Sequence, residues 1–173
     1  MLLSSSRVNT IYSYNTQSMT KTDSSYAFHP TGLLKHSRPS YIGTSTTYHA
    51  FPKNSKLCIF ATLNEYLKRR ASLTNEHKLI ITYRRPHKPA STSTIARWLK
   101  DILRLSGVDT NQFKAHSYRG ASSSYANKMA VSVQDILKMG QWSQESTWTK
   151  FYKKEIMPMP ETQGYGNTIL KGG

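Results

Sequence analysis

Ile95, Trp98, Leu99, Ile102 and Leu103 recur at the spacing of one face of an α-helix, while Arg97, Lys100, Asp101 and Arg104 fall on the other side. Ser91 or Ser93 can accept a hydrogen bond from the first free backbone amides. Gly107 can end the helix, because glycine adopts left-handed backbone without strain. The pattern predicts an amphipathic helix over 93–106, with Trp98 a core residue before it is a base-stacking one.

Weaker signals surround it. Leu57, Phe60, Ala61, Leu63 and Leu67 approximate an apolar face over 56–70. Residues 117–129 read as a helix, its small residues Gly120, Ala121 and Ser122 allowing close packing. A short helix is expected over 132–139, capped by Ser132 and ended by Gly140, and a last one over 143–155, capped by Ser143. Upstream, 8–15, 24–29 and 47–52 read as short strands. Gly32, Pro39 and Gly43 mark 31–46 as hairpin and loop, and Leu79–Tyr83 reads as an apolar extended segment before the loop forced by Pro86 and Pro89. The expected class is α+β, mainly helical, with a small antiparallel sheet near the N-terminus. Residues 157–173, with Pro158 and Pro160, read as a loose tail.

The chain's 173 residues suffice for one domain. It carries 24 Lys and Arg against 9 Asp and Glu, a net charge of +15, which favours a polyanionic partner. Residues 1–90 hold 13 basic and 3 acidic side chains, and 91–173 hold 11 and 6, so the cations are dispersed rather than gathered in a disordered tail. Interleaved with aromatics, they suit a folded groove around a duplex. No apolar run approaches the roughly 18 residues of a membrane span. One cysteine, Cys58, excludes an intrachain disulfide and a Cys-rich zinc site, and reads as a small buried apolar residue.

The most informative stretch is 113–152. Ala115-His116-Ser117-Tyr118-Arg119-Gly120-Ala121 is followed by Gly140-Gln141-Trp142-Ser143, then by Ser146-Thr147-Trp148 and Phe151-Tyr152. His116 and Arg119, three residues apart at a helix start, are expected on one face. Arginine offers a planar fork to two phosphate oxygens, histidine a titratable partner, an indole a donor and a tyrosine a nucleophilic oxygen. These boxes resemble those of the tyrosine recombinase (phage integrase) family, whose pattern is Arg, Lys, His-x-x-Arg, His/Trp, Tyr. They look closest to the recombinases of eukaryotic mobile elements of the DIRS, Ngaro and Crypton type. Upstream, the segment around Arg7 resembles the one carrying the family's first arginine, and Phe28–Pro39 the hairpin carrying its lysine, which makes Lys35 the match.

The resemblance implies site-specific DNA recombination through a 3′-phosphotyrosine intermediate. Arg7 and Arg119 would stabilise charge on the phosphate, Lys35 would protonate the leaving 5′-oxygen, and His116 would orient the phosphate and accept the phenolic proton. Trp142 would hydrogen-bond the phosphate, and Tyr152 would attack it. Arg38, Lys53 and Lys56 are nearby alternatives to Lys35, and Arg38, Lys88, Lys114 and Lys150 are candidate duplex contacts. No cofactor and no metal are expected. Three departures stand out: Gln141 splits the usual Gly-Trp, Thr10 stands where many members carry an acid, and Tyr152 follows Trp142 one position later than in many phage and bacterial members.

Residues 1–156 are thus expected to form the catalytic domain, without the N-terminal helical domain that normally grips the far side of DNA. The implied partner is double-stranded DNA, not a membrane, with a homotetramer on DNA and a nuclear location. The alternatives are a non-catalytic duplex-binding remnant of a mobile element and a basic RNA-binding domain.

Overall fold

The computed structural model describes residues 5–29 and 45–155. In chain order these form α1 (Val8–Ser13), β1 (Met19–Lys21), β2 (Ser25–Phe28), β3 (Thr46–His49), a 3-10 turn (Ser55–Leu57), α2 (Ile59–Ala71), α3 (Thr92–Leu105), α4 (Ser117–Lys128), α5 (Val133–Gly140) and α6 (Glu145–Phe151). The strands make one antiparallel sheet in the order β1-β2-β3, with Tyr26 facing Lys21 on one side and Tyr48 on the other. The fold is mainly helical α+β with its small sheet near the N-terminus, as expected. The hairpin read over 31–46 lies almost wholly outside the described residues, and so does the tail at 157–173.

The expected strand at 8–15 is instead α1. Val8, Thr10 and Ile11 are β-branched and favour strand locally. Their burial has helical spacing, however: Thr10, Ile11 and Tyr14 are buried while Asn9 and Tyr12 are exposed. The segment packs on α3, and that tertiary contact overrides propensity. β1 is a strand that the sequence reading lacks.

Aromatic side chains fill the space between the sheet and α2. Ile11, Tyr14, Tyr26, Phe28, Tyr48 and Leu79 form the buried cluster, against which Phe60, Leu63 and Tyr66 of α2 pack. Tyr14 stacks on Phe28 at 4.5 Å. The phenol oxygens are matched, as buried phenols require. Tyr26 donates to Asn64 Oδ1 at 2.6 Å, Tyr66 donates to the Leu79 carbonyl at 2.8 Å, and the Tyr14 and Tyr48 hydroxyls meet at 3.3 Å. The buried Arg70 fastens the end of α2 to the following segment through the carbonyls of Glu76 and Lys78. Cys58 is buried, and its sulfur also caps α2, accepting from the Ala61 and Phe51 amides.

The amphipathic helix α3 starts where Ser91 accepts from the Thr94 amide, and it stops before Gly107 at φ +79°. Ile95 and Leu99 are buried with Ala90 and Tyr118. Trp98 is half-buried against the same cluster, as a core residue should be. A third cluster, Ile136, Trp142 and Trp148, joins α5 to α6.

Trp148 is 1 % exposed. Trp148→Ala is expected to lower unfolding stability by about 3–5 kcal/mol, and Trp98→Ala by less because its ring is only half-buried. Urea unfolding followed by circular dichroism measures both.

Candidate active site

Arg119 is the inward residue at the start of α4, 2 % exposed. Its Nη2 donates to the Gly140 carbonyl at 3.0 Å, and its Nη1 donates to the Ser5 carbonyl. Next to it, Tyr118 donates its hydroxyl to the carbonyl of Ser6. Two consecutive α4 side chains thus hold the two carbonyls directly before Arg7, and Ser5 and Ser122 add a hydroxyl contact at 2.6 Å. Arg7 caps the N-terminus of α1 and is half-buried.

The Arg119 guanidinium lies over the Trp142 ring at 4.5 Å and the Tyr152 ring at 5.3 Å. Those two rings are 4.8 Å apart and tilted by 55°. Burial pushes the guanidinium pKa down to about 10; the Arg7 cation adds to the fall, while Tyr152 and Tyr118 oppose it. The group stays charged at neutral pH. Arg119 Nε and Trp142 Nε1 are buried donors with no partner among the described residues.

The turn carrying Trp142 differs from expectation. Gly140 is the last helical residue, and the left-handed backbone belongs to Gln141, at φ 54° and ψ 46°. A non-glycine residue there costs roughly 1–2 kcal/mol. Gly140 is needed for space instead: a Cβ on it would lie 1.8 Å from Cζ3 of Trp142. α6 is also shorter than expected, capped at Gln144 rather than Ser143, so Tyr152 is the residue that terminates it and not a helical one. Its carbonyl accepts from Ser124 Oγ at 3.1 Å. That carbonyl also approaches Gly120 closely, a Cβ there lying 3.1 Å away. Phe151 is exposed and lies under the Lys150 ammonium at 5.4 Å.

His116 is the exposed N-cap of α4, one turn before the buried Arg119, whose backbone amide donates to the His116 carbonyl at 3.1 Å. It lines an open cleft of about 1220 Å³ together with Tyr152, Tyr125 and Phe151. The structure therefore brings Arg119, Trp142 and Tyr152 into contact, with the Arg7 cation near enough to act on Arg119, and places His116 on the lining of the cleft that Tyr152 also lines. Lys35 and Arg38 lie outside the described residues. Lys88, Lys114 and Lys150 are exposed. Among the described residues, no three His, Cys, Asp or Glu side chains gather as metal ligands.

The model of the phage integrase family matches residues 36–157. The chain belongs to the phage integrase family. The integrase match takes in α2 to α6, and so His116, Arg119, Trp142 and Tyr152, while Arg7 lies upstream of it. The fold is that of a tyrosine recombinase catalytic domain. It is similar to XerA recombinase, with a TM-score of 0.65 and 16% identity over 99% of this chain and 55% of that one. It is also similar to XerH site-specific recombinase bound to difH substrate before cleavage, with a TM-score of 0.64 and 13% identity over 89% and 40% of the two chains. The post-cleavage complex of XerH with palindromic difH gives 0.63 and 13%, over 98% and 43%. The chain thus spans about half the length of these recombinases. No curated protein matches it significantly.

Tyr118, Ser5, Ser6 and Gly140 do not figure among the site residues read from the sequence. Only the glycine had a signal, its place before the Gln-Trp pair. Gly140→Ala is expected to displace the Trp142 indole and to destabilise the fold by about 1–3 kcal/mol through overpacking. Tryptophan fluorescence during urea titration reads both effects.

Proposed function

We propose that this domain breaks and rejoins duplex DNA through a 3′-phosphotyrosyl intermediate. The observation that carries the reading is the packing of the Tyr152 ring on Arg119 and Trp142, beside Arg7, residues drawn from four separate segments. Tyr152 Oη attacks the scissile phosphorus, a phosphorus–oxygen bond to Tyr152 forms, and the bond to the 5′-oxygen breaks. His116, at the rim of the same cleft, takes the phenolic proton, and Lys35 returns a proton to the 5′-oxygen. Arg7 and Arg119 stabilise charge on the non-bridging oxygens, with the unpartnered donors Arg119 Nε and Trp142 Nε1 available to them. The covalent intermediate conserves the phosphodiester energy, so religation draws on no nucleotide.

The net charge of +15 supports duplex DNA as the partner, and the similar XerH site-specific recombinase is seen bound to its difH substrate. The Ala115–Ala121 and Trp142–Tyr152 boxes support descent from a eukaryotic mobile element of the DIRS, Ngaro or Crypton type, and with it a nuclear location. The apolar cleft beside Tyr152 supports association of protomers as a homotetramer on DNA.

A duplex nicked near the cleavage site is expected to trap a covalent protein–DNA adduct in EDTA. Tyr152→Phe should abolish the adduct, and Arg119→Lys should slow its formation by about 10²–10³. Salt-sensitive duplex binding without any adduct would instead mark a non-catalytic remnant, and tighter binding to structured RNA would mark an RNA-binding domain.

Duplex affinity is expected to fall linearly on a logarithmic salt scale, with a slope near −0.9 for each phosphate contacted. Fluorescence anisotropy between low and moderate salt measures the slope. Lys88→Ala, Lys114→Ala and Lys150→Ala should each reduce it by about one contact if they touch the backbone.

A further inference from the structure

One residue separates the carbonyl that holds Arg119 from the indole that stacks on it. That residue, Gln141, is 7 % exposed and adopts the left-handed backbone that glycine would take without strain. Its side chain leaves the turn and reaches two other elements. Oε1 accepts from Thr10 Oγ1 at 3.0 Å, and Nε2 donates to Thr46 Oγ1 at 3.5 Å. Both threonines are 2 % exposed. Thr10 lies one helical turn beyond Arg7 on α1, and Thr46 opens β3. A glycine at 141 would serve the backbone better and would forfeit both contacts. Buried amides are costly when unmatched, so these partners fix where the side chain goes.

We infer that Gln141 is a positioning residue, which locks the Trp142 turn to the helix carrying Arg7 through Thr10 and Thr46. On this inference it acts through three groups. The Gly140 carbonyl on its N-terminal side fixes Arg119, the indole on its C-terminal side covers the same guanidinium, and its amide sets α1 against both. The Thr10–Gln141 contact is a neutral, buried link between α1 and the Trp142 turn. For its chemical consequence the inference rests on the strand-transfer reading, but the contacts stand without it.

The test uses the full chain and the nicked duplex. Gln141→Gly relieves the left-handed strain, so a pure backbone role predicts unchanged or faster cleavage. The lock predicts duplex affinity within about twofold of the parent and a single-turnover cleavage rate about 10- to 100-fold lower. Thr10→Val should lose a similar factor, Thr10→Ser should retain the rate, and the double variant should be no slower than Gln141→Gly alone. Cleavage by Gln141→Gly at the parent rate, or multiplying losses in the double variant, would overturn the inference. If the parent forms no adduct, the strand-transfer reading fails, and the DNA-free protein decides the lock. The ¹H–¹⁵N resonance of the Trp142 indole should then move with Thr10→Val in the parent and stay put in Gln141→Gly. Equal movement in both backgrounds overturns it.

Discussion

A buried guanidinium organises this domain. Removing a charge from water costs several kcal/mol unless hydrogen bonds and neighbouring groups compensate. Among the described residues, the two ion pairs, Arg69–Glu65 and Arg104–Asp101, are exposed helix pairs, and neither involves Arg119. Its compensation comes from neutral groups: the carbonyls of Ser5 and Gly140, and the faces of Trp142 and Tyr152. Carbonyls orient the cation without cancelling its charge. A carboxylate would have held it as firmly and left less field for a phosphate.

The rest of the architecture serves that contact. The compensating groups sit before α1, at the end of α5 and after α6, so satisfying one side chain requires three distant segments to meet beside α4. Small residues make the meeting geometrically feasible. Gly140 admits the indole, Gly120 admits the Tyr152 backbone, and Ser123 and Ser124 fold their hydroxyls onto nearby carbonyls. The aromatic core between the sheet and α2 holds β3 in place, and with it the Thr46 contact of the site.

Much of this was legible in the sequence where the cause is local. α3 and α5 begin where Ser91 and Ser132 say they should, since a cap is a matter of a few adjacent atoms. The boxes of His116, Arg119, Trp142 and Tyr152 marked side chains of which the last three are in contact in the fold. His116 sits one turn before Arg119, as its spacing implied, but its exposure at the N-cap was not legible from spacing. α1 was hidden because its β-branched residues point locally to a strand, while the face it buries depends on α3. β1 was hidden by its length of three residues. Gly140 was read as the residue that ends the helix, whereas it is the last helical residue, its lack of a side chain demanded by the indole, and the left-handed turn falls on Gln141. At α1 and at Gly140 a distant contact outweighed a local preference; at β1 the signal was too short to read.

The ring stack has a consequence for the free protein. The rings of Tyr152 and Trp142 lie side by side over the Arg119 guanidinium, 4.8 Å from one another, and on the proposed reading the attacking side chain itself covers the cation that would stabilise its reaction. Arg119 is almost wholly shielded in that arrangement. A stray phosphate ion in solution therefore meets a covered cation. On the proposed strand-transfer reading, the ring that attacks the phosphorus first has to leave the guanidinium, so that uncovering Arg119 and aiming Tyr152 would be one motion.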